Sequence, residues 1–188
     1  MNTYLLYGSI GSGKSTLGKA LVSPEIKIIE LDAINKNILD TNQNIIKEIA
    51  AVAPACLLDN QFIDKSILKK LIFSDLSIRI AVESVMHPEI IKAAIDELNS
   101  KERYKVIISP LVSKIIKKID FKKIVYLQID KKNQIKRVQS RDSIDEIMIN
   151  NIINIQNEDY KNIHNDLIID GLINIETQKK QFLELIND

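Results

Sequence analysis

The chain has 188 residues, 45% of them hydrophobic and 27% charged, with a formal net charge of +1. That length suits one compact domain with room for a buried core and a helical insertion. The near-neutral charge provides no overall field to recruit nucleic acid, so any anion site has to be local, and no apolar run approaches the roughly 20 residues that a spanning helix needs.

Taken in chain order, Thr3–Tyr7 (TYLLY) is a short β-prone run ended by Gly8. Lys14–Leu21 reads as a helix, Pro24 as a breaker and Lys27–Leu31 (KIIEL) as a second strand, which together make one βαβ unit. Asn35–Val52 is predicted to be a single helix. Cys56, the lone cysteine, excludes an intramolecular disulfide; within AVAPACLL a buried, inert thiol is expected rather than a reactive one. Asp64–Phe73 and Asp75–Asn99 read as two further helices, the second with Ile78, Val82, Val85 and Met86 at helical spacing. His87–Pro88 is predicted to break or restart that helix. This helical stretch, at approximately 60–100, is the candidate for an inserted subdomain.

Lys105–Ile108 and Lys123–Ile129 are apolar runs suited to a parallel sheet buried on both faces, with a short helix around Lys114–Lys118 between them. Lys131–Arg141 and Ile144–Asn162 read as helices, Leu167–Ile169 as a last strand and Glu176–Ile186 as a closing helix. The expected class is α/β. No early segment joins a charged start, an apolar stretch and a cleavage site, which predicts a cytoplasmic protein.

The chemistry starts at residues 8–15, GSIGSGKS. Gly8 and Gly13 bracket four residues, and Lys14 and Ser15 follow, which is the full Walker A pattern in its required place between a strand and a helix. A chance Gly/Ser-rich turn is the alternative, and that context argues against it. Glycines permit backbone angles that turn successive N–H groups inward around a phosphate, and the helix starting near Lys14 aims its N-terminal dipole at the same anion. Gly8, Ser9, Ile10, Gly11, Ser12, Gly13, Lys14, Ser15 and Thr16 are therefore the candidate nucleotide site. Lys14 is expected to reach the β- and γ-phosphates of ATP, and the Ser15 hydroxyl to bind Mg²⁺. The pattern predicts a nucleotide-dependent kinase and leaves its acceptor open.

Asp32 follows the second strand, where a carboxylate faces the ligand crevice of a parallel sheet. It can orient an acceptor hydroxyl, take its proton or touch Mg²⁺ through water; equally, it can cap the next helix. Glu30 ranks lower, because alternation along the strand points it the other way. Arg137 and Arg141 lie four apart, on one helix face, where paired guanidiniums can grip phosphate oxygens. A solvated basic helix is the other reading, with Lys131, Lys132 and Lys136 nearby.

The phosphate loop, the strand ending in Asp32, the helical middle, MHPEI at Met86–Ile90, SPL at Ser109–Leu111, and RVQSRD at Arg137–Asp142 with Gln156 downstream resemble the dephospho-coenzyme A kinase family in order and near-family spacing. The resemblance covers almost the whole chain. It implies a P-loop NTPase three-layer fold with a parallel sheet, an inserted helical subdomain that holds the coenzyme substrate, and a helical lid at approximately 131–150. It also implies ATP-dependent phosphorylation of the ribose 3′-hydroxyl of dephospho-coenzyme A. Asp32 matches the family's proposed general base, Arg137 and Arg141 its arginine-bearing lid, and Lys36 stands where a substrate-binding arginine is usual. His87 matches the His-Pro signature, for which a local structural role is as well supported as substrate contact.

The chain also departs from that pattern. Leu111–Lys114 offers no carboxylate where the family commonly reaches a glutamate, and NEDYKNIH follows Gln156 without the usual arginine. Tyr7-Gly8-Ser9 replaces Thr-Gly-Gly, Asp170-Gly171 replaces a longer Asp-Asn-x-Gly, and Ser109 stands where a Walker B aspartate belongs. Two other functions remain open on sequence: a P-loop kinase for another small acceptor, such as a nucleoside or nucleotide, and a non-catalytic nucleotide-binding protein.

Overall fold

The computed structural model describes residues 2–59, 61–142 and 144–187. They fall into two compact units, one formed by Met1–Glu30 with Glu97–Asp188 and the other by Leu31–Asp96.

The first unit is built on a five-stranded sheet in which every pairing is parallel. Its strands are β1 (Thr3–Tyr7), β2 (Ile26–Glu30), then, after the second unit, strands at Tyr104–Ile108, Lys123–Gln128 and Leu167–Asp170. Counting the two short strands of the second unit, β3 (Leu57–Leu58) and β4 (Phe62–Ile63), these last three are β5, β6 and β7. The order across the sheet is β2-β5-β1-β6-β7. The chain leaves β1 toward one edge and later returns to its other side, so the carboxyl end of β1 is the switch point where α/β sheets open a crevice.

Alternation along the strands sorts the side chains by face. Tyr4 and Leu6 of β1 join Val106 and Ile108 of β5, Val125 and Leu127 of β6, and Ile169 of β7 in one buried cluster. Leu17 and Leu21 of α1 (Lys14–Leu21), and Phe182 and Ile186 of the closing helix (Ile175–Asn187), pack into it. At Gly18 α1 packs directly on the tip of the Ile108 side chain: a Cβ there would fall 2.2 Å from Ile108 Cδ1, which would have to move. On the opposite face Tyr7 stacks against Tyr126 of β6 at 4.9 Å between ring centres. The parallel sheet with helices is the expected α/β class.

The second unit holds α2 (Leu31–Thr41), α3 (Gln43–Val52), a 3₁₀ turn at Pro54–Cys56, the antiparallel β3–β4 hairpin, α4 (Lys65–Ser74) and most of α5 (Leu76–Glu97). It begins at Leu31, earlier than the expected insertion at about 60–100. The single helix predicted over Asn35–Val52 is two. Asn42 takes an extended conformation between them and accepts from the N–H groups of Asn44 and Ile45, so a capping side chain wins over helix continuation. The hairpin and the 3₁₀ turn were not expected; strands this short carry no periodic signal.

The predicted break at His87–Pro88 is absent, and α5 runs through Pro88. Proline removes one hydrogen bond, to the Ser84 carbonyl. Val82, Met86, Ile90 and Ala94 make a continuous buried stripe across it, and that burial holds the helix together. Cys56 is buried, its thiol donates to the Ala53 carbonyl, and burial pushes its pKa up, as an inert thiol requires. Among the described residues no helix is long and apolar enough to cross a membrane.

Candidate active site

The site grows from the turn between β1 and α1. Gly11 and Gly13 have φ of 79° and 104°, the left-handed region that side chains with a Cβ avoid. Ser12 N–H donates to the Ser9 carbonyl at 3.1 Å and closes the turn, while α1 begins at Lys14. This is a helix N-terminus preceded by a glycine-shaped backbone concavity, the arrangement that binds phosphate. Lys14 Nζ lies across the loop and donates to the carbonyls of Gly8 (2.6 Å) and Ser9 (3.1 Å). The ammonium is thus held where a cradled phosphate would meet it. Ser15 and Thr16 follow as exposed residues of the first turn. Ser9 and Ser12 are buried, and no protein partner satisfies Ser12 Oγ. The backbone concavity, Lys14 and Ser15 fit a nucleotide triphosphate with its divalent cation.

Ser15 Oγ donates to Glu30 Oε1. Glu30 is the last residue of β2, in register with Ile108 of β5, whose next residue, Ser109, is fully buried. Alternation along β2 predicts that Glu30 points away from the crevice; its contact with Ser15 shows that at the end of a strand the side chain reaches forward as well as outward. The signal available in the sequence was its position at the strand's carboxyl end, two residues before Asp32.

Arg137 and Arg141 both lie on α7 (Lys131–Asp142), which follows α6 (Val112–Ile115) and β6 in the chain. Arg137 Nη1 donates to the carbonyls of Gly11 (3.3 Å) and Ser12 (3.2 Å), and Nη2 to that of Gly171 (3.0 Å). It braces the loop from its carbonyl side and ties it to the turn after β7. The Arg141 guanidinium makes a two-pronged pair with Asp142, at 2.6 and 2.7 Å.

A further contact comes from α8 (Glu146–Asp159) and the residue after it. Gln156 Oε1 accepts the Ile10 N–H at 2.7 Å, and the Tyr160 hydroxyl donates to the Gly8 carbonyl at 3.0 Å. Tyr160 and its contact to the loop were not anticipated. The Tyr7 hydroxyl donates to Asn165 Oδ1 at 2.7 Å; burial, partly offset by that bond and reinforced by Tyr126, pushes the Tyr7 pKa up to about 12.

Asp32, Lys36 and His87 belong to the second unit. Asp32 is the second residue of α2, inside its first turn rather than at the cap, and Lys36 lies one turn further on; both are exposed. A carboxylate in a first turn is favoured by the helix dipole whatever else it does. His87 is half-buried in the middle of α5, so the reading in which it caps a helix break does not apply.

Known proteins place this geometry. A curated dephospho-CoA kinase of Gamma-proteobacterium EBAC31A08 is 29% identical over 194 residues, covering 97% of this chain and 98% of its own. Among solved structures, TT1252 from Thermus thermophilus superposes with a TM-score of 0.76 at 20% identity, covering 98% of this chain and 96% of that one. Dephospho-CoA kinase from Campylobacter jejuni gives 0.62 at 22%, covering 99% and 96%. The two structures speak for the fold. The family model described as Dephospho-CoA kinase matches residues 5–176, and the chain belongs to that family.

Proposed function

We propose that the protein transfers the γ-phosphoryl group of ATP to the ribose 3′-hydroxyl of dephospho-coenzyme A, giving coenzyme A and ADP in the cytoplasm. The observation that carries this reading is the phosphate loop with Lys14 held across it, in a chain of this family. Phosphoryl transfer asks the protein chiefly for positioning and charge neutralisation. Gly8–Thr16 supply inward N–H groups and the helix dipole, and Lys14 supplies the cation. Ser15, oriented by Glu30, would hold Mg²⁺, which neutralises charge on the β- and γ-phosphates when bound. Among the described residues no group of three or more His, Cys, Asp or Glu side chains is gathered for a metal. That suits Mg²⁺, which is commonly held by one or two side chains together with substrate phosphates.

Asp32 takes the proton of the acceptor hydroxyl, Lys36 and His87 of the second unit contact the coenzyme substrate, and residues at about 131–150 act as the lid. Within that lid Arg141 meets the transferring phosphoryl group after leaving Asp142, while Arg137 contributes by holding the loop in shape. The test is to incubate the protein with Mg·ATP and a panel of acceptors and identify the product by mass. Coenzyme A formed only with dephospho-coenzyme A supports the reading; turnover of a nucleoside monophosphate without it overturns the acceptor.

A further inference from the structure

We infer that Gln156 and Tyr160, one turn apart at the end of α8, are positioning residues for phosphoryl transfer, acting on the substrate through the backbone of the phosphate loop. The inference rests on the reading of that loop as the ATP site.

The geometry is specific. Gln156 Oε1 accepts from Ile10 N–H at 2.7 Å, and Tyr160 Oη donates to the Gly8 carbonyl at 3.0 Å. The same carbonyl accepts from Lys14 Nζ at 2.6 Å. A carbonyl oxygen has two lone pairs, so Tyr160 and Lys14 together fill the capacity of Gly8. The direction in which Gly8 points is therefore set partly by the tyrosine, and the ammonium that rests on Gly8 inherits that direction. Gln156 does the same for the middle of the loop: it fixes the plane of the peptide before Ile10.

Both side chains are themselves held. The Tyr160 ring stands edge-on to Tyr7 at 4.9 Å and 76°, and to Tyr126 at 6.3 Å and 69°. Tyr7 is buried and anchored through Asn165. Ile10 packs against a small cluster of Val138, Ile149 and Ile153, with Ile135 and Ile144. The loop thus meets α8 through a backbone donor, a backbone acceptor and an apolar side chain. A loop rich in glycine has little stiffness of its own, and misplacing a reacting group by about 1 Å can cost on the order of 10²-fold in rate. External struts are one way to supply the missing stiffness.

Tyr160→Phe removes only the hydroxyl and keeps the three-ring packing. Gln156→Met removes the acceptor at similar volume, and Gln156→Glu restores it. Three readouts are needed, all well below the unfolding temperature: kcat, KM for dephospho-coenzyme A, and the Kd of Mg·ADP by direct titration. A single hydrogen bond of ordinary strength predicts about a five- to tenfold loss of kcat in Tyr160→Phe and in Gln156→Met. Where less than this appears in kcat, the remainder should appear as a rise in the Kd of Mg·ADP, with KM for dephospho-coenzyme A within about twofold. Gln156→Glu should recover most of the turnover lost in Gln156→Met. If both variants keep kcat and Kd within twofold of wild type, or melt earlier with unchanged kinetics per folded molecule, α8 is a structural prop and the inference fails. If wild type binds no Mg·ADP, it fails together with the reading of the loop. If wild type binds Mg·ADP but makes no coenzyme A, only the proposed acceptor falls, and the binding arm alone decides the role of α8.

Discussion

Ser15 Oγ donates a hydrogen bond to Glu30 Oε1, tying the first turn of α1 to the last residue of β2. A hydroxyl oriented by a carboxylate presents its lone pairs to a cation, and no carboxylate follows β5 to do this from the neighbouring strand. Partners of this kind typically govern 10–100-fold of metal affinity. Glu30→Gln is therefore expected to raise the Mg²⁺ concentration needed for half-maximal turnover by on the order of tenfold, with the fold unchanged. A metal titration that superposes on wild type would show Glu30 to be a spacer.

Lys14→Ala should nearly abolish turnover and leave the circular dichroism spectrum intact. The ammonium lies over the loop on the Gly8 and Ser9 carbonyls, placed to neutralise the negative charge of the transferring group. Near-normal turnover in that variant would remove the loop from the chemistry.

Arg137 and Arg141 are tested by the same truncation with melting temperature and turnover read together. Arg137→Ala leaves the Gly11, Ser12 and Gly171 carbonyls without their shared donor, so both turnover and melting temperature should fall, the latter by about 2–4 °C. Arg141→Ala breaks an exposed pair with Asp142, which is worth little in water. A loss of turnover in this variant at an unchanged melting temperature would report directly on phosphoryl transfer. Full turnover in Arg141→Ala returns this residue to the status of a solvated charge.

Asp32→Asn tests the proton acceptor. The change is nearly isosteric and leaves a polar group in the first turn of α2. A general base contributes on the order of 10²–10⁴-fold, and a loose transition state places the loss toward the lower end. Single-turnover transfer with both substrates saturating is the measurement. A rate within about threefold of wild type, under about 1 kcal/mol of barrier, rules the base role out.

Tyr7 predicts an alkaline limit to stability. Its pKa rises from an ordinary 10.0 to about 12, because burial disfavours the phenolate. A group whose pKa is raised by folding stabilises fully below its unfolded value and loses that contribution as pH climbs through the folded value. The wild type should therefore lose up to about 3 kcal/mol between pH 10 and 12 from this group. Tyr7→Phe should show a shallower decline over the same window in urea titrations, and parallel curves would show that Tyr7 ionises freely.

Much of the molecule is written in local chemistry. The glycine spacing, Lys14 and Ser15 specify a phosphate loop because the motif is contiguous and each residue acts on its own backbone neighbourhood. The apolar runs of β5 and β6 point to a parallel sheet, whose strands are buried on both faces. What the sequence could not determine depends on partners far away in the chain. Pro88 stops a helix by its own chemistry, yet α5 continues because burial at Val82, Met86, Ile90 and Ala94 outweighs one lost hydrogen bond. Arg137 and Arg141 share a helix face, but only the fold turns one toward the Gly11 and Ser12 carbonyls and leaves the other on Asp142. Tyr160 lies 152 residues from Gly8, a separation across which spacing carries no information. Only tertiary packing sets a hydroxyl against a carbonyl at that remove, since side-chain periodicity reports which face is buried and not what it will meet.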